Sequence, residues 1–385
     1  MNKINNDIYR VGVSDFVTDL FEGQYPIKKG ISYNSYIIVD EKIAVIDTVE
    51  VNFKEEWLQN VKEVLGDKKP DYLIVQHMEP DHSANIVEFL KLYDDVTVVG
   101  NVKTFKMIEQ FFDYEIKNKL VVSEKDTLCL GKHTLQFILA PMVHWPEVMV
   151  TYEMTDKILF SADAFGKFDV TEDVKDWITE ARRYYFGIVG KYGMQVNKLL
   201  EKAKGLEIKI ICPLHGPILN ENLSYYLDVY KKWASYLPES DGVAIFYTSI
   251  YGNTKKAIEL LTNKLKEKGC EDVVVYDLAR TDVTLAVSEA FKYQNIVLGT
   301  TTYNNSIFPY MRTFITHLVE RGYQNRNIGI VENGTWAINA GNEIKKCFEG
   351  SKMINILPTV VSILSAVKKE NLLEIEALAK ELLEK

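Results

Sequence analysis

Cysteine is scarce in this chain of 385 residues. Only Cys129, Cys212, Cys270 and Cys347 occur, widely scattered and never as Cys-x-x-Cys. That spacing excludes a cysteine-rich zinc or iron module and argues against paired structural disulfides, as suits a reducing cytoplasm. No run of about 18 apolar residues is present, so no membrane-spanning helix is expected. The polar opening MNKINNDIYR does not read as a signal peptide. Basic residues are outnumbered, 45 Lys and Arg against 54 Asp and Glu, and the net charge is −9. A surface built for nucleic acid or an anionic membrane is therefore not expected. What the chain does have is apolar content, 47% of its residues. That is enough to bury a large core, and the length favours two domains.

The N-terminal part is strand-rich. Ile37–Val39 and Ile43–Asp47 flank the charged turn Asp40-Glu41-Lys42 and read as a hairpin, followed by an amphipathic helix from Phe53 to Val64. The β-branched run Tyr72 to Val75 reads as a buried strand. It leads into Gln76-His77-Met78-Glu79-Pro80-Asp81-His82-Ser83, which holds four metal-capable side chains within six residues. Pro80 can neither continue a ladder nor sit inside a helix, so this segment is expected to be a loop at a strand end. A helix should begin near Ser83. A polar turn capping that helix would explain any one of these side chains alone. It does not explain the set, because further ligands occur at three more strand ends.

After the strand that ends at Leu139 comes Ala140-Pro141-Met142-Val143-His144. Ile158 to Ala162 leads to Asp163, and Ile208 to Leu214 leads to His215. Each segment places one imidazole or carboxylate just past an apolar run, among Pro, Gly or small residues that allow close approach. Four of the six histidines fall in these motifs. His133 and His317 sit in ordinary patterned segments and read as structural. Strand runs with helices outside them, including a largely helical stretch from Val174 to Leu200, predict an αββα sandwich for residues 1–240.

The turn-rich seam from Tyr236 to Gly242 marks a domain boundary, and residues 241–385 change to β-α alternation. Strands are expected at 242–247, 273–276, 296–298, 328–331 and 359–363, with helices between and a last helix from Lys369 to Glu384. That pattern predicts a doubly wound parallel sheet, whose ligands bind at the carboxyl ends of the strands. The first such end carries Thr248, Ser249, Tyr251, Gly252, Asn253 and Thr254. Its hydroxyls, glycine and helix amides suit a single phosphate. It is not a Walker loop, because no Gly-Lys-Ser/Thr follows, and Ser, Thr and Asn also make ordinary helix caps. Two further strand ends carry Thr301, Thr302, Tyr303 and Asn304, and then Asn333, Gly334, Thr335 and Trp336.

The N-terminal ligand spacing resembles that of the metallo-β-lactamase fold, whose usual signature is His-x-His-x-Asp-His. Here Glu79 replaces the second histidine. A carboxylate-rich mixed N/O set suits redox-active iron better than zinc. The C-terminal loops lie where flavodoxins hold FMN. The whole pattern, about residues 5 to 380, is similar to that of the flavodiiron proteins. The resemblance implies that His77, Glu79 and His144 bind one iron and Asp81, His82 and His215 the other, with Asp163 as bridge. A role for His82 as a hydrogen-bonding neighbour of Asp81 stays open. It also implies that the first C-terminal loop holds the FMN phosphate and the other two surround its ring. The implied activity is reduction of O2 to water, of NO to N2O, or both, with electrons from a separate donor: a rubredoxin, another flavoprotein or a reduced deazaflavin. A head-to-tail homodimer, or a dimer of dimers, is implied as well. Tyr184, Tyr185 and Tyr192 read mainly as packing, with Tyr192 a candidate proton or electron donor, and Trp145 as pocket wall or core. Two competing readings are a dinuclear zinc hydrolase and a flavin electron carrier with a vestigial front domain.

Overall fold

The computed structural model describes residues 2–171 and 173–384. The chain divides into two compact units, Met1–Lys231 and Lys232–Lys385.

In the first unit seven strands form one sheet: β1 (Asn2–Lys3), β2 (Ile8–Arg10), β3 (Tyr36–Ile38), β4 (Ala44–Ile46), β5 (Tyr72–Ile74), β6 (Thr97–Gly100) and β7 (Lys119–Val121), side by side in that order. Pairing is antiparallel up to β4 and parallel from β4 to β7. A second sheet holds β8 (Thr127–Cys129), β9 (Thr134–Leu139), β10 (Met149–Glu153), β11 (Ile158–Phe160) and β12 (Ile210–Cys212), again in chain order. Only its last pair, β11 with β12, is parallel.

Strand alternation sorts the apolar residues into layers. Ile37, Val45, Leu73 and Val98 face Trp57, Phe89 and Phe105. Those residues come from α1 (Lys54–Leu65), then, past the short α2 (Pro80–Ser83), from α3 (Ile86–Leu92) and α4 (Val102–Phe111). Their strand neighbours Ile38, Ala44, Ile46, Ile74 and Val99 point the other way and meet Leu135, Phe137, Met149, Ile158 and Phe160 of the second sheet. Beyond that sheet come α5 (Trp177–Tyr184), α6 (Gly193–Ala203) and α7 (Leu223–Ala234). Val196 of α6 and Tyr230 of α7 line a small cavity together with Val150 and Leu159. The expected αββα order is therefore present. The stretch between α5 and α6 stays helical but changes pitch, through π-helical Tyr185–Val189 and 3-10 Gly190–Tyr192.

The second unit holds β13 (Ser240–Tyr247), β14 (Val273–Asp277), β15 (Tyr293–Tyr303), β16 (Ser306–Ile307), β17 (Arg326–Gly334) and β18 (Ile354–Leu364). The parallel sheet runs β14-β13-β15-β17-β18, which is the flavodoxin order, and β16 folds back on the end of β15. Helices α8 (Asn253–Glu267), α9 (Val283–Lys292), α10 (Pro309–Glu320), α11 (Ala340–Cys347) and α12 (Lys369–Leu383) complete it. One core face joins Val243, Ile245, Val297 and Val331 to Leu261 of α8 and Leu378 of α12.

Two expectations need correction. Pro80 lies in a helix after all, because it is the first residue of α2, where a missing N–H and a fixed φ cost nothing. Asp81 and His82 therefore stand on a helical turn. The segments Gly299–Tyr303 and Glu332–Gly334, expected as loops, are the ends of β15 and β17. Their polar side chains stand on paired backbone, and the turn is confined to Asn304 and Asn305, both with left-handed φ (49° and 57°). Among the described residues no helix is long and apolar enough to cross a membrane.

Trp57 is fully buried between α1 and the first sheet. Trp57→Ala should cost the first unit about 3–5 kcal/mol, read as an earlier denaturant midpoint for that unit.

Candidate metal centre and flavin pocket

All seven predicted ligands of the first unit converge at the carboxyl ends of the strands. β5 delivers His77 and Glu79 directly, and Asp81 and His82 through α2. His144 follows β9, Asp163 follows β11 and His215 follows β12. Tight bends turn the chain inward there, with left-handed φ at Asp47 (53°), Met142 (66°), Ala162 (50°) and Phe165 (68°). Such conformations are unfavourable for residues other than glycine and persist where surrounding structure enforces them. Gly216, at φ 80°, follows His215 where a Cβ would come within 2.8 Å of the Lys167 side chain.

The ligand atoms fall into two groups. In the first, His77 Nε2 and His144 Nε2 each lie 2.9 to 3.3 Å from Glu79 Oε2 and Asp163 Oδ2. In the second, His82 Nε2 and His215 Nε2 are 3.0 Å apart, 3.2 and 3.3 Å from Asp81 Oδ2, and 3.4 and 3.7 Å from Asp163 Oδ1. Asp163 thus offers one oxygen to each group. Ligands held about 2.1 Å from a common cation lie about 3.0–3.4 Å from one another, the spacing seen here. Both oxygens of Asp81, both of Asp163 and Nε2 of His144 are buried without a hydrogen-bond partner among the described residues. Orphaned carboxylate oxygens in a buried site are costly without a cation. The residues present therefore fit a dinuclear metal centre.

Electrostatics agree with the crowding. Burial opposes charge on His82, His144 and Asp163, yet their neighbours' field outweighs it. His82 is raised to about 10, with Asp81 the main charge acting on it, and His144 to about 9, with Asp163 and Glu79. Asp163 is held well below the usual carboxylate range, against burial, chiefly by His77. Metal binding would displace the protons these imidazoles hold.

Supporting residues that the sequence pattern did not single out fix the imidazoles from behind. His77 Nδ1 donates to Glu147 Oε1 at 3.0 Å, and the same oxygen accepts the Met78 amide at 2.8 Å. His215 Nδ1 donates to the Ser32 carbonyl at 2.8 Å. Each bond leaves Nε2 with its lone pair aimed at the centre. Asp47 accepts from the Gln76 amide, at 2.7 Å, and from its side chain, at 3.0 Å. Glu147 had a readable signal, a carboxylate three residues beyond His144. Asp47 had one too, a carboxylate ending a fully buried strand. Glu22, in the turn between Leu20–Phe21 and Tyr25–Pro26, brings its carboxyl against Glu79. Partial burial and then the Glu79 charge push it up to about 7, against the pull of His144. Nothing in the sequence pattern points to it.

Tyr192 is half-buried in the 3-10 turn, whereas Tyr184 and Tyr33 hold their rings against His215, at 5.4 and 5.9 Å. Trp145 is half-buried and meets His77 edge-on at 5.4 Å. His133 is buried with Nδ1 3.1 Å from Glu153 and Nε2 3.2 Å from Asp7, a pairing that ties down the N-terminal segment. His317 sits on α10 with Nδ1 2.9 Å from Arg321.

In the second unit a cavity of about 490 Å3 opens at the strand ends. Of the fourteen residues predicted there, Ser249, Tyr251, Asn253, Thr254, Thr301, Thr302, Tyr303, Asn304, Asn333, Gly334, Thr335 and Trp336 line it. Thr248 lies beneath, bonded to the Thr300 hydroxyl at 2.7 Å. Gly252, at φ 89°, is the N-cap of α8, and the Ser249 hydroxyl accepts from the Gly252 and Lys255 amides, at 3.1 and 3.3 Å. Ser365, at the end of β18, also lines the cavity. It follows a strand whose carboxyl end the motif reading passed over. The hydroxyls of Thr254 and Thr301 are buried without partners among the described residues. Tyr251 and Trp336 stand 93% and 80% exposed at the rim, unusual for aromatics with nothing to cover. A helix N-terminus for a phosphate, buried hydroxyls and flat apolar rims fit FMN.

Comparison with known proteins decides the family. Residues 31–216 match a family model described as ODP family beta lactamase, and residues 244–352 match a flavodoxin domain model. A nitric oxide reductase of Moorella thermoacetica is 32% identical over 82% of this chain and 81% of its own length. Rubredoxin oxygen:oxidoreductase from Desulfovibrio gigas superposes with a TM-score of 0.92 at 26% identity, over 99% of this chain and 97% of that one. The flavodiiron protein of Giardia intestinalis gives 0.89, also at 26%, over 99% and 98%. The chain belongs to the flavodiiron protein family. With membership come its two cofactors, FMN and a non-haem diiron centre, and its class of chemistry, oxidoreduction.

Two substitutions probe this flavodiiron site. Glu147→Gln should weaken iron binding about 10–100-fold in anaerobic competition with a chelator, because the amide no longer fixes His77 as firmly. Trp336→Ala should weaken FMN binding about 2–10-fold by fluorescence titration, the loss expected for one aromatic contact.

Proposed function

We propose that this flavodiiron protein reduces small diatomic gases, O2 to water, NO to N2O, or both. The second unit would hold FMN and the first two irons, which together would supply the redox chemistry, with electrons from a separate donor. The observation that carries this reading is the split of Asp163, whose two oxygens face two separate ligand groups, in a chain whose second unit holds a cavity of about 490 Å3 at its strand ends.

His77, Glu79 and His144 would hold one iron and Asp81, His82 and His215 the other, with Asp163 between them. Bound together, the irons and FMN supply the redox power and a place for both ends of a diatomic molecule. The rest is the chain's own work. Glu147 and the Ser32 carbonyl keep His77 and His215 in the ligating tautomer. Trp145, Tyr33, Tyr184 and Phe21 pack around the imidazoles and exclude water from one side. Tyr184 stays protonated, because burial and then the charges of Asp163 and Asp81 raise its hydroxyl far above its ordinary value. In the second unit the start of α8 and Thr254 would take the phosphate, and Tyr303 and Trp336 would flank the ring.

The similar proteins include one named for nitric oxide and one for rubredoxin and oxygen. They support both substrates here and a small electron-carrying protein as donor. A head-to-tail homodimer would bring one subunit's FMN to the other's irons. The reducing cytoplasm is the compartment we assign, in keeping with four unpaired cysteines.

Protein purified without oxygen should contain about two irons and one FMN per chain. Stopped-flow reoxidation of the reduced protein by O2 and by NO then ranks the two substrates. Zinc in place of iron, with no flavin, would overturn the reading in favour of a hydrolase.

A further inference from the structure

Behind the loop that carries Asp163, between the outer face of the second sheet and helices α6 and α7, lies a cavity of about 20 Å3. Val150, Val196 and Phe165 wall its buried part, and the half-buried Leu200, Ala203 and Leu227 mark the side towards the surface. Two hydroxyls stand in the wall and both are engaged. Ser161 Oγ donates to the Ala164 carbonyl at 2.7 Å, and Tyr230 Oη accepts the Phe165 amide at 2.6 Å. A cavity needs about 10–15 Å3 to hold one water and that water needs two or more polar partners. This one has the size for a single small molecule and offers it a hydrocarbon surface. Water has little reason to stay, whereas an apolar molecule gains from leaving solvent and filling the gap.

The position of the cavity gives that preference a use. Ser161, Ala164 and Phe165 line it, while Asp163, in the middle of the same five-residue segment, aims its carboxylate at the metal ligands. Left-handed φ at Ala162 and Phe165 marks the tight bends of this short loop on either side of Asp163.

We propose that this cavity is a gas-docking site. It takes one apolar diatomic molecule, O2 or NO, next to the loop that holds the bridging carboxylate. The inference rests on the gas-reductase reading for its role, though not for the binding itself. Crystals of the full holoprotein pressurised with xenon test the binding: a peak within the cavity is expected, and its absence overturns the proposal. Ala203→Leu and Leu200→Phe, both at half-buried positions of the lining, should abolish the xenon peak. In the same variants the reoxidation rate at low O2 or NO should fall severalfold, with reduction of the flavin by dithionite unchanged. Filled variants that react as fast as the parent would overturn the role in gas supply. A parent protein inert to both gases would sink the reductase reading instead, and the xenon peak would still decide the site.

Discussion

Three carboxylates, Glu79, Asp81 and Asp163, share a site with four imidazoles, and the oxygens of two of them lack hydrogen-bond partners among the described residues. Taking a carboxylate out of water costs several kcal/mol even after relaxation, and like charges at van der Waals range add to it. Imidazolium partners relieve the problem only in part, since each must itself be charged in a buried place. Cations at the two foci remove the conflict for all seven groups together. Much of the first unit can be understood as the scaffold that keeps these groups crowded when they would otherwise spread apart.

The scaffold works because the bends are locked by backbone and buried polar contacts. The Asn34 amide side chain donates to the carbonyls of Pro213 and Gly216, and the Tyr36 hydroxyl donates to Pro213 as well. These bonds hold the His215 loop against the first sheet. The Met149 amide reaches the Gln76 carbonyl at 3.1 Å, joining β10 to the His77 loop. The ligands from two sheets are thus tied to each other through neighbours that never touch the centre. Hydrophobic packing between the sheets sets their spacing, and these polar ties set their register.

Much of this was legible in the sequence, for a physical reason. Apolar alternation and Pro-Gly punctuation placed most strands within a residue or two, and a ligand just beyond a strand end has few other places to point. What stayed hidden depends on contacts across the fold. Pro80 looked like a helix breaker until its place as the first residue of α2 was known, and the polar ends of β15 and β17 read as loops because pairing with neighbours overrides their propensity. Glu147 lies 70 positions from the His77 it orients. Glu22 sits in an unremarkable turn and meets Glu79 only through the tertiary fold. Asp163 as bridge came from the family resemblance, and the placing of one oxygen towards each ligand group is geometry that spacing alone does not carry.

The replacement of an imidazole by Glu79 gives the centre its chemical character. Two divalent cations against three carboxylates leave the site close to neutral, and Glu147 adds a fourth carboxylate in contact with His77. A site so rich in oxygen donors stabilises the higher charge of oxidised metals more than one built mainly of imidazoles. The same substitution makes the site a poorer match for zinc, which has no second oxidation state to be stabilised. Charge balance therefore links one residue in the sequence to the kind of reaction the fold can support. A hydrolytic scaffold becomes a redox one when a neutral ligand gives way to an anionic one, and a flavin domain on the same chain then has electrons to deliver to it.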